Sequence, residues 1–586
     1  MRLHLCFGVL TLSLLLTGCK PGAPTSRPSG ASYDPKEDPL VNPPTLFEPR
    51  PEDDAKVARD ETLYVHLSGS PSSLNPLFAS AAVEFTVLES LFTGPFTFDK
   101  DLQWAVNHEM VESFEESEDH RSFTVRLKPG FKWHDGTPFT AHDIVYSWQQ
   151  ILDPRVPCPA QKPGTEEVKE CVALDDLTVR YVQDKPLATS KWNIMFSIIP
   201  KHLFEKDKEQ NPDLKSGDYY SRLGRQPVGN GPYRVVEWRE NDQIVVERWE
   251  DYPGRKPDFK RIVFKIVPDP NVALLSFEKE TIDAIESISA EQFARETNTP
   301  TFERVGYKVW GTEWAFGYIG WNMDGSNPFF NDKRVRYAMT HALNLPLVIE
   351  KVYYNLATPC LGIYHPNSWM FNPEVKGLEY NPKRSAELLD EAGWKVSPED
   401  GWRYKVIDGK PVKFEFTMLI PQGSPTGPRI ASILQEDLKR LGVLMKTQTL
   451  EWAAFQQKVQ KHEFQASTAG WGTGTDPDTG WNLWHSTEYE KGRNYVGYSN
   501  PRVDELFVQG RHEFDFDKRR KIYQEIHKII YEDQPYTWIA NRPILAAVNK
   551  RLRGLQLSPR GLTGFDPSYL GWWVPAGQAK HVAAMP

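Results

Sequence analysis

Alternating hydrophobic and polar residues predict several short strands along the chain. Thr62–Leu67 alternates in this way, and Phe123–Leu127 places its apolar side chains on one face. Two more strands are predicted at Gln243–Arg248 and Arg261–Val267. Helical patterns separate these strands, so the sequence predicts a mixed α/β fold, and we find no internal repeat in it.

Apolar residues three and four positions apart predict amphipathic helices between the strands. In one of them, Thr140 caps the helix, Asp143 completes the capping box, and the apolar residues of 144–152 share a face. The other predicted helices begin after Asp332, at Asn381-Pro382, near Pro428 and after Asp517, and Gly393 and Gly442 end two of them.

The N-terminal residues have the pattern of an export signal. An apolar stretch, Leu5–Leu16, is shorter than the roughly 20 residues that span a bilayer, so residues 1–18 are predicted to be a signal peptide. Leu16–Cys19 resembles the lipobox of bacterial lipoproteins, which predicts lipidation of Cys19; the alternative is a chance cysteine after an apolar run. Residues 19–60 are rich in Pro, Ser, Gly and charge, so we expect a lipidated N-terminus and a flexible tether.

Length, composition and charge narrow the class of protein. The chain has 586 residues, of which 40% are hydrophobic and 25% charged, as in a soluble body of two or three domains. A formal charge of -9 and the lack of a Lys/Arg run argue against a nucleic-acid partner.

Five cysteines occur in the sequence, and three of them follow the predicted lipidation site. Cys158 and Cys171 bracket a short polar stretch, which favours a disulfide between them in an oxidising compartment, with two free thiols as the alternative. Cys360 is then expected to be a buried thiol. No CxxC, Cys/His or HExxH spacing predicts a metal site, and no cofactor is expected.

Several segments occur in the order that is typical of one protein family. Phe123–Asp143 resembles the signature of family 5 of the extracellular solute-binding proteins, which includes oligopeptide-, dipeptide- and nickel-binding proteins. We interpret His134, within this signature, as a structural hydrogen-bonding residue rather than a metal ligand. The remaining matching segments are Asn230–Tyr233, Val246–Arg248, Asp251–Tyr252, Ile266–Asp269, Arg334–Ala338, Asn381–Trp394 and Tyr498–Asp504.

The resemblance implies a two-lobed periplasmic-binding-protein fold of class II, cluster C type, whose lobes are joined by two crossing strands and enclose the ligand. By analogy, lobe one takes residues 61–311 and 541–576, with an extra subdomain at about 85–193, and lobe two takes residues 312–540. Such a protein works by hinge closure, because the ligand gains contacts to both lobes in the closed form.

The family's implied partners are a small solute, with an oligo- or dipeptide as the leading expectation, and the permease subunits of an ABC importer. We expect a monomer that meets the membrane only through its lipid anchor. The expected location is the periplasmic side of a bacterial membrane or the cell surface, and the sequence leaves the inner and outer membranes open as alternatives.

The segment from residue 469 to 478 is the best candidate for ligand contact. Gly470, Gly472 and Gly474 leave the backbone open to close approach, and Trp471 offers a flat apolar wall. In peptide-binding members, the resemblance implies an acid here for the peptide's α-amino group; this chain has Gly474 at that position, with Asp476 after it. The alternative is a simple turn.

Two further segments are candidates. Trp481 and Trp484 are three residues apart and belong either to the ligand pocket or to the core. Ser80, Ala81 and Ala82 match the segment that contacts peptide backbone in the family, although the same residues could simply begin a helix.

Other classes of function have less support in the sequence. A secreted hydrolase would need a nucleophile motif such as G-x-S-x-G, which is missing, so we expect no enzyme activity. A family member that binds a metal chelate or an oligosaccharide stays open as an alternative. So does a surface lipoprotein with an adhesion, signalling or chaperone role.

Overall fold

The computed structural model describes residues 33–79, 81–156, 158, 161–162, 164–210, 224–474, 478–490 and 492–581. Among these residues, no helix is both long and apolar enough to cross a bilayer. The described chain forms two α/β lobes that share one large sheet, together with smaller sheets of two, three and four strands.

Most strands are short, and only two exceed ten residues within the described ranges. The strands are β1 (Thr62–Leu67), β2 (Phe96–Phe98), β3 (Trp104–Val106), β4 (Val111–Glu116), β5 (Ser122–Leu127), β6 (Val168–Asp175), β7 (Thr178–Gln183), β8 (Tyr233–Arg239), β9 (Gln243–Arg248), β10 (Arg261–Ile266), β11 (Ala284–Ile285), β12 (Gly306–Trp321), β13 (Thr358–Pro359), β14 (Lys395–Val396), β15 (Arg403–Ile407), β16 (Lys410–Lys413), β17 (Glu415–Pro421), β18 (Leu444–Leu450), β19 (Ala466–Gly472) and β20 (Tyr536–Asn549).

Helices alternate with these strands, as the sequence predicts. They are α1 (Ala82–Leu91), α2 (Ala141–Leu152), α3 (Ser190–Asn193), α4 (Lys201–Gln210), α5 (Pro270–Glu278), α6 (Pro300–Val305), α7 (Lys333–Ala342), α8 (Leu345–Lys351), α9 (Pro382–Glu391), α10 (Gly427–Arg440), α11 (Trp452–Gln460), α12 (Asp478–Trp484), α13 (Pro501–His512) and α14 (Phe516–Asp533).

The large sheet runs through both lobes in the order β18-β17-β19-β12-β20-β11-β1-β10-β9-β8, and β13 also pairs with β20. Its two long strands, β12 and β20, are antiparallel neighbours. Their register is regular up to Thr312, which pairs with Pro543. It shifts before Phe316, which pairs with Asn541, and again between Gly317 and Tyr318. Residues 311–312 and 540–541, where the family resemblance implies the strand crossings, adjoin these shifts, and the crossings stay a prediction.

A separate four-stranded sheet, in the order β4-β5-β7-β6, forms the extra subdomain of the first lobe. Phe123 and Val125 of β5 pack with Trp133 and with Ile144 of α2 in one buried cluster. Trp249 of lobe one belongs to the same cluster, so the subdomain shares apolar packing with the lobe that carries it.

Helix capping agrees closely with the sequence-based predictions. The backbone N–H of Thr140 donates to the carboxylate of Asp143 at 2.9 Å, which confirms the capping-box interaction at α2. The predicted caps of α7 and α9 also hold, each with a side-chain oxygen that accepts from a first-turn N–H. Helix α14 begins before Asp517, because Asp515 accepts from the N–H of Lys518 and caps the helix two residues earlier.

The prediction of a flexible tether is wrong for residues 33–60, which pack on the body. The fully buried amino group of Lys308 forms an ion pair with Asp38 at 2.9 Å. Asn42 forms hydrogen bonds with both backbone groups of Trp310, at 2.7 and 3.0 Å. A buried ammonium needs a compensating charge, and Asp38 supplies it to Lys308. The core of lobe one therefore depends on a segment that composition alone identified as a linker.

The predicted disulfide between Cys158 and Cys171 is also wrong, because both are free buried thiols in different clusters. Cys158 packs at the end of α2, where its Sγ lies 3.8 Å from the carbonyl oxygen of Ile151. Cys171 lies on β6, and burial raises the pKa of its thiol to about 12. Cys360 is buried and free, which confirms its prediction.

Candidate functional site

A cleft of about 930 Å³ lies between the two lobes. Lobe one contributes one face of α1, strand β2 and the segment 559–570, and lobe two contributes Gly472–Gly474 at the end of β19. Glu313 and Trp314 of the long strand β12 line the cleft between these walls. A cavity of this size, open between two lobes, suits a ligand of several amino-acid residues or fewer.

Trp314 connects the two walls of the cleft. Its backbone N–H donates to the carbonyl oxygen of Pro559 at 3.0 Å, and its own carbonyl accepts from the N–H of Thr473 at 2.6 Å. The hydroxyl of Thr473 donates to the same carbonyl at 3.0 Å. The side chain of Trp314 is buried, and its Nε1–H has no acceptor among the described residues.

Glu313 and Arg542 form an ion pair across the two long strands, with 2.8 Å between Oε1 and a guanidinium nitrogen. Burial raises the pKa of Glu313, and the neighbouring Arg542 opposes this effect. The pair lies at the irregular part of the β12–β20 register.

Glu89 lies on the face of α1 that lines the cleft and is held by neutral donors alone. Its carboxylate accepts from the N–H of Gly564 at 2.7 Å and from the hydroxyl of Ser568 at 3.0 Å. Burial and the nearby carboxyl of Glu286 raise the pKa of Glu89 to about 8. Glu286 accepts in turn from the hydroxyls of Thr563 and Tyr569, and burial raises its pKa as well.

Two further acids and one base line the same cavity. Burial and the charge of Glu109 raise the pKa of Asp566, while Arg255 opposes this rise. Arg560 stacks on the ring of Phe98, with 4.9 Å from its guanidinium carbon to the ring centroid. Arg560 has no side-chain hydrogen bond or ion pair with any described residue, and desolvation lowers the pKa of its guanidinium.

The structure places three of the predicted site residues, Ala82, Gly472 and Gly474, in the lining of the cleft. A Cβ added at Gly472 would meet no atom within 4 Å, so the glycine faces open space. At Gly470, an added Cβ would lie 3.0 Å from the carbonyl oxygen of Phe316, so this glycine allows β19 to pack against β12.

Ala81, which was also predicted, precedes the first residue of α1, and its N–H donates to Glu84 at 3.0 Å. It does not line the cavity within the described part of the chain. The segment does begin a helix, α1, whose first residue, Ala82, also lines the cleft. Ser80 and Asp476, the two other predicted contacts, lie outside the described residues.

The predicted tryptophan contacts pack in lobe two rather than in the cleft. Trp471 stacks on Tyr318 at 6.2 Å between ring centroids, and its Nε1–H donates to Tyr536 at 3.2 Å. Trp481 lies parallel to the ring of His485 at 3.8 Å. Trp484 is fully buried in the core of lobe two, as the core alternative expects.

His134 has the structural role that its position in the signature predicts. Its Nδ1 accepts from the N–H of Gly229 at 3.1 Å, and its Nε2 lies 3.0 Å from the carbonyl oxygen of Gly231. Burial lowers its pKa to about 4, which keeps the ring neutral. In the described ranges, no group of three or more His, Cys, Asp or Glu side chains could hold a metal ion.

Sequence reasoning missed most of the side chains that line the cleft. Glu89, Trp314, Arg560 and Asp566 belong to segments that are far apart in the chain and form no common motif. Only Glu313 and Trp314 carried a usable signal, because they follow the strand crossing implied at residues 311–312.

Comparisons with known proteins agree with this architecture. The model of a family described as bacterial extracellular solute-binding proteins, family 5, middle, matches residues 105–492. The oligopeptide-binding protein AppA of Bacillus subtilis (strain 168) is 29% identical over 522 residues, which is 87% of this chain and 91% of that protein. The dipeptide-binding protein of Escherichia coli (strain K12) is 26% identical over 528 residues, which is 86% of this chain and 94% of that protein.

A solved structure of AppA from Bacillus subtilis in complex with a nonapeptide resembles this chain, with a TM-score of 0.73 and 28% sequence identity. The similarity covers 89% of this chain and 100% of the other. The family match spans more than half of the chain, including the four-stranded sheet of the subdomain, the long strand β12 and the Gly472–Gly474 wall of the cleft. The chain therefore belongs to family 5 of the bacterial extracellular solute-binding proteins.

Proposed function

We propose that this protein captures an oligo- or dipeptide between its two lobes and delivers it to the permease of an ABC importer. The observation that carries the proposal is the cleft of about 930 Å³, whose walls come from both lobes. Relatives named as oligopeptide- and dipeptide-binding proteins support a peptide as the ligand. The protein acts as a binding component and catalyses no reaction.

The chemistry of the cleft suits a peptide. A peptide backbone needs donors and acceptors to replace water, and an unsatisfied buried polar group costs about 1–3 kcal/mol. Acidic side chains and the unpaired guanidinium of Arg560 line the cavity. The amino group of a zwitterionic peptide can therefore pair with an acid there, and its carboxylate can pair with Arg560. Phe85 of α1 also lines it and is 50% exposed, which leaves an aromatic surface free for an apolar side chain.

Closure of the cleft would occur about the two long strands. We place the lobe boundaries at residues 311–312 and 540–541, with residues 61–311 and 541–576 in lobe one, 312–540 in lobe two, and the subdomain at about 85–193. The register irregularity between Thr312 and Phe316 supports this division. Ligand that contacts α1 and Gly472–Gly474 together would favour the closed form, because the open form offers it only one wall.

Export and anchoring complete the proposal. Residues 1–18 act as a signal peptide, and lipid on Cys19 holds the protein at the periplasmic side of a bacterial membrane or at the cell surface. Residues 33–60 pack on the body, and residues 19–32, the rest of the predicted tether, lie outside the described residues. The protein functions as a monomer whose protein partners are the permease subunits.

Calorimetric titration with short peptides tests the proposed function. The expected result is saturable binding of di- or tripeptides, with no binding of a maltooligosaccharide or of a nickel–histidine chelate. Phe85→Ala should weaken peptide binding roughly tenfold or more, because burial of a Phe side chain contributes about 1.5–3 kcal/mol.

Phe516→Ala is the matched control for this variant, because Phe516 is 46% exposed and lies outside the cleft on α14. Its peptide affinity should equal that of the unaltered protein. Tight binding of the oligosaccharide or the chelate, with no binding of any peptide, would overturn the proposal in favour of the corresponding non-peptide ligand.

A further inference from the structure

The acids that line the cleft outnumber its bases. Glu89, Glu109, Glu313 and Asp566 line the cavity, whereas Arg560 is the one basic side chain among its described lining residues. Only Glu313 has an ion-pair partner, Arg542, within the described ranges. The other three acids have no ion-pair partner in those ranges. A ligand cation beside them would favour their ionised forms, including that of Glu89, whose pKa burial and Glu286 raise to about 8.

Three of the acids, Glu89, Glu109 and Asp566, lie on the wall that lobe one provides, away from the glycine segment of lobe two. Glu89 is on α1, Glu109 follows β3, and Asp566 belongs to the C-terminal segment 559–570. Glu109 interacts with neutral groups, namely the hydroxyl of Tyr252 at 3.4 Å and the N–H of Arg255 at 3.2 Å. Neutral donors orient the carboxyl groups of Glu89 and Glu109 and bring no counter-charge to them.

Helix α1 presents an aromatic ring and a carboxylate on one face. Phe85 and Glu89 are four residues apart, so their Cβ atoms are separated by about 5–6 Å along the helix. Both side chains line the cavity. A long aliphatic stem can pack on the ring while its cationic end group reaches the carboxylate, and lysine and arginine side chains have this shape.

The single basic residue of the cleft does not compete for these acids. Arg560 stacks on Phe98, and it forms no ion pair with any acid in the described ranges. A carboxylate of the ligand can therefore bind there while a ligand cation occupies the acidic wall. An anionic side chain would find no cation on the acidic wall and would meet repulsion from those of its acids that are ionised.

Resting on the proposed function of peptide capture, we propose that the cleft selects peptides with a positively charged side chain, and that Glu89, Glu109 and Asp566 set this preference. An ammonium or guanidinium group of the ligand would act as the counter-ion that the described protein does not supply to these acids. Each charge-assisted hydrogen bond contributes more than a neutral one, so the preference should be large enough to measure.

Calorimetry with three peptides that differ only at the central residue tests the proposal: Ala-Lys-Ala, Ala-norleucine-Ala and Ala-Glu-Ala. Norleucine retains most of the aliphatic stem of lysine and lacks the charge. The lysine peptide should bind about tenfold or more tightly than the norleucine peptide, and the glutamate peptide should bind most weakly.

Variants locate the source of the preference. The double variant Glu89→Gln with Asp566→Asn should remove most of the preference for lysine while leaving the affinity for the norleucine peptide nearly unchanged. Glu399→Gln, which alters an exposed acid outside the cleft, should leave the ranking intact. A parallel loss of affinity for all three peptides would assign these acids a structural role and overturn the proposal.

The ranking on the unaltered protein decides the proposal even if the double variant does not fold. Equal affinities for the lysine and norleucine peptides would overturn the charge preference and leave peptide capture standing. Failure of all three peptides to bind, alongside tight binding of a non-peptide ligand, would overturn both.

Discussion

Arg551 is at the centre of a buried ion-pair network, and its replacement by methionine should strongly destabilise lobe one. The guanidinium contacts both carboxylate oxygens of Asp283, at 2.7 and 2.8 Å, and also the carboxylate of Glu61. A further N–H donates to the carbonyl oxygen of Thr62 at 2.8 Å. The side chains of Arg551, Glu61 and Asp283 are 2%, 0% and 1% exposed.

The size of the loss follows from what remains after the cation is removed. Arg551→Met leaves two buried carboxylates without a counter-charge, and breaking such a pair costs about 3–5 kcal/mol. Backbone N–H groups still donate to these acids, from Tyr64 to Asp283 at 3.0 Å and from Lys580 to Glu61 at 3.0 Å. We therefore expect the free energy of unfolding to fall by about 3 kcal/mol, near the lower end of this range.

Equilibrium unfolding in urea, followed by tryptophan fluorescence, measures this loss as a shift of the midpoint at constant slope. The control is Arg334→Met, because Arg334 pairs with Asp332 while 50% exposed and should lose less than about 1 kcal/mol. The triple variant Glu61→Gln, Asp283→Asn and Arg551→Met should recover most of the stability. A loss below about 1 kcal/mol for Arg551→Met would refute the reasoning.

Three other predictions concern the site and the thiols. Trp471→Ala should lower the melting temperature of the ligand-free protein, because the ring packs in the aromatic cluster of lobe two, and an unchanged melting temperature would contradict this. The pKa of Glu89, raised to about 8, means that the folded state holds its proton longer than the unfolded state, so this group lowers stability as pH rises from about 4.5 to 8. Glu89→Gln should therefore gain stability relative to the unaltered protein between pH 5 and about pH 8.5 in urea unfolding, and a pH-independent difference would be evidence against the raised pKa. Peptide mapping after alkylation in denaturant without reductant should find label on all three buried cysteines, and a Cys158–Cys171 bridged peptide would contradict their separation into two clusters.

Local features of the fold were predictable from the sequence because they depend on neighbouring residues. The capping box of Thr140 and Asp143 needs only a spacing of three, and the alternation in Thr62–Leu67 directly gives the strand. The family resemblance supplied the two lobes, which no local pattern contains. The error at α14 amounts to two residues, because Asp515 and Asp517 are both acceptable caps.

Long-range contacts explain what the sequence could not predict. The cleft combines α1, β12, Gly472–Gly474 and the segment 559–570, and no spacing rule relates these segments to one another. From composition, residues 33–60 were expected to form a tether. Composition does not reveal their packing on the body, because the partner of Asp38 is Lys308, 270 positions away. The two cysteines are 13 residues apart in sequence, yet they pack in separate clusters and remain unbridged.

A crystal structure of the protein grown with Ala-Lys-Ala tests the central claim most directly. We predict that the peptide lies in the cleft between the lobes, in contact with α1 and with Gly472–Gly474, and that its lysine side chain lies beside Glu89 or Asp566. A peptide bound elsewhere on the surface, with the cleft between the lobes empty, would contradict it.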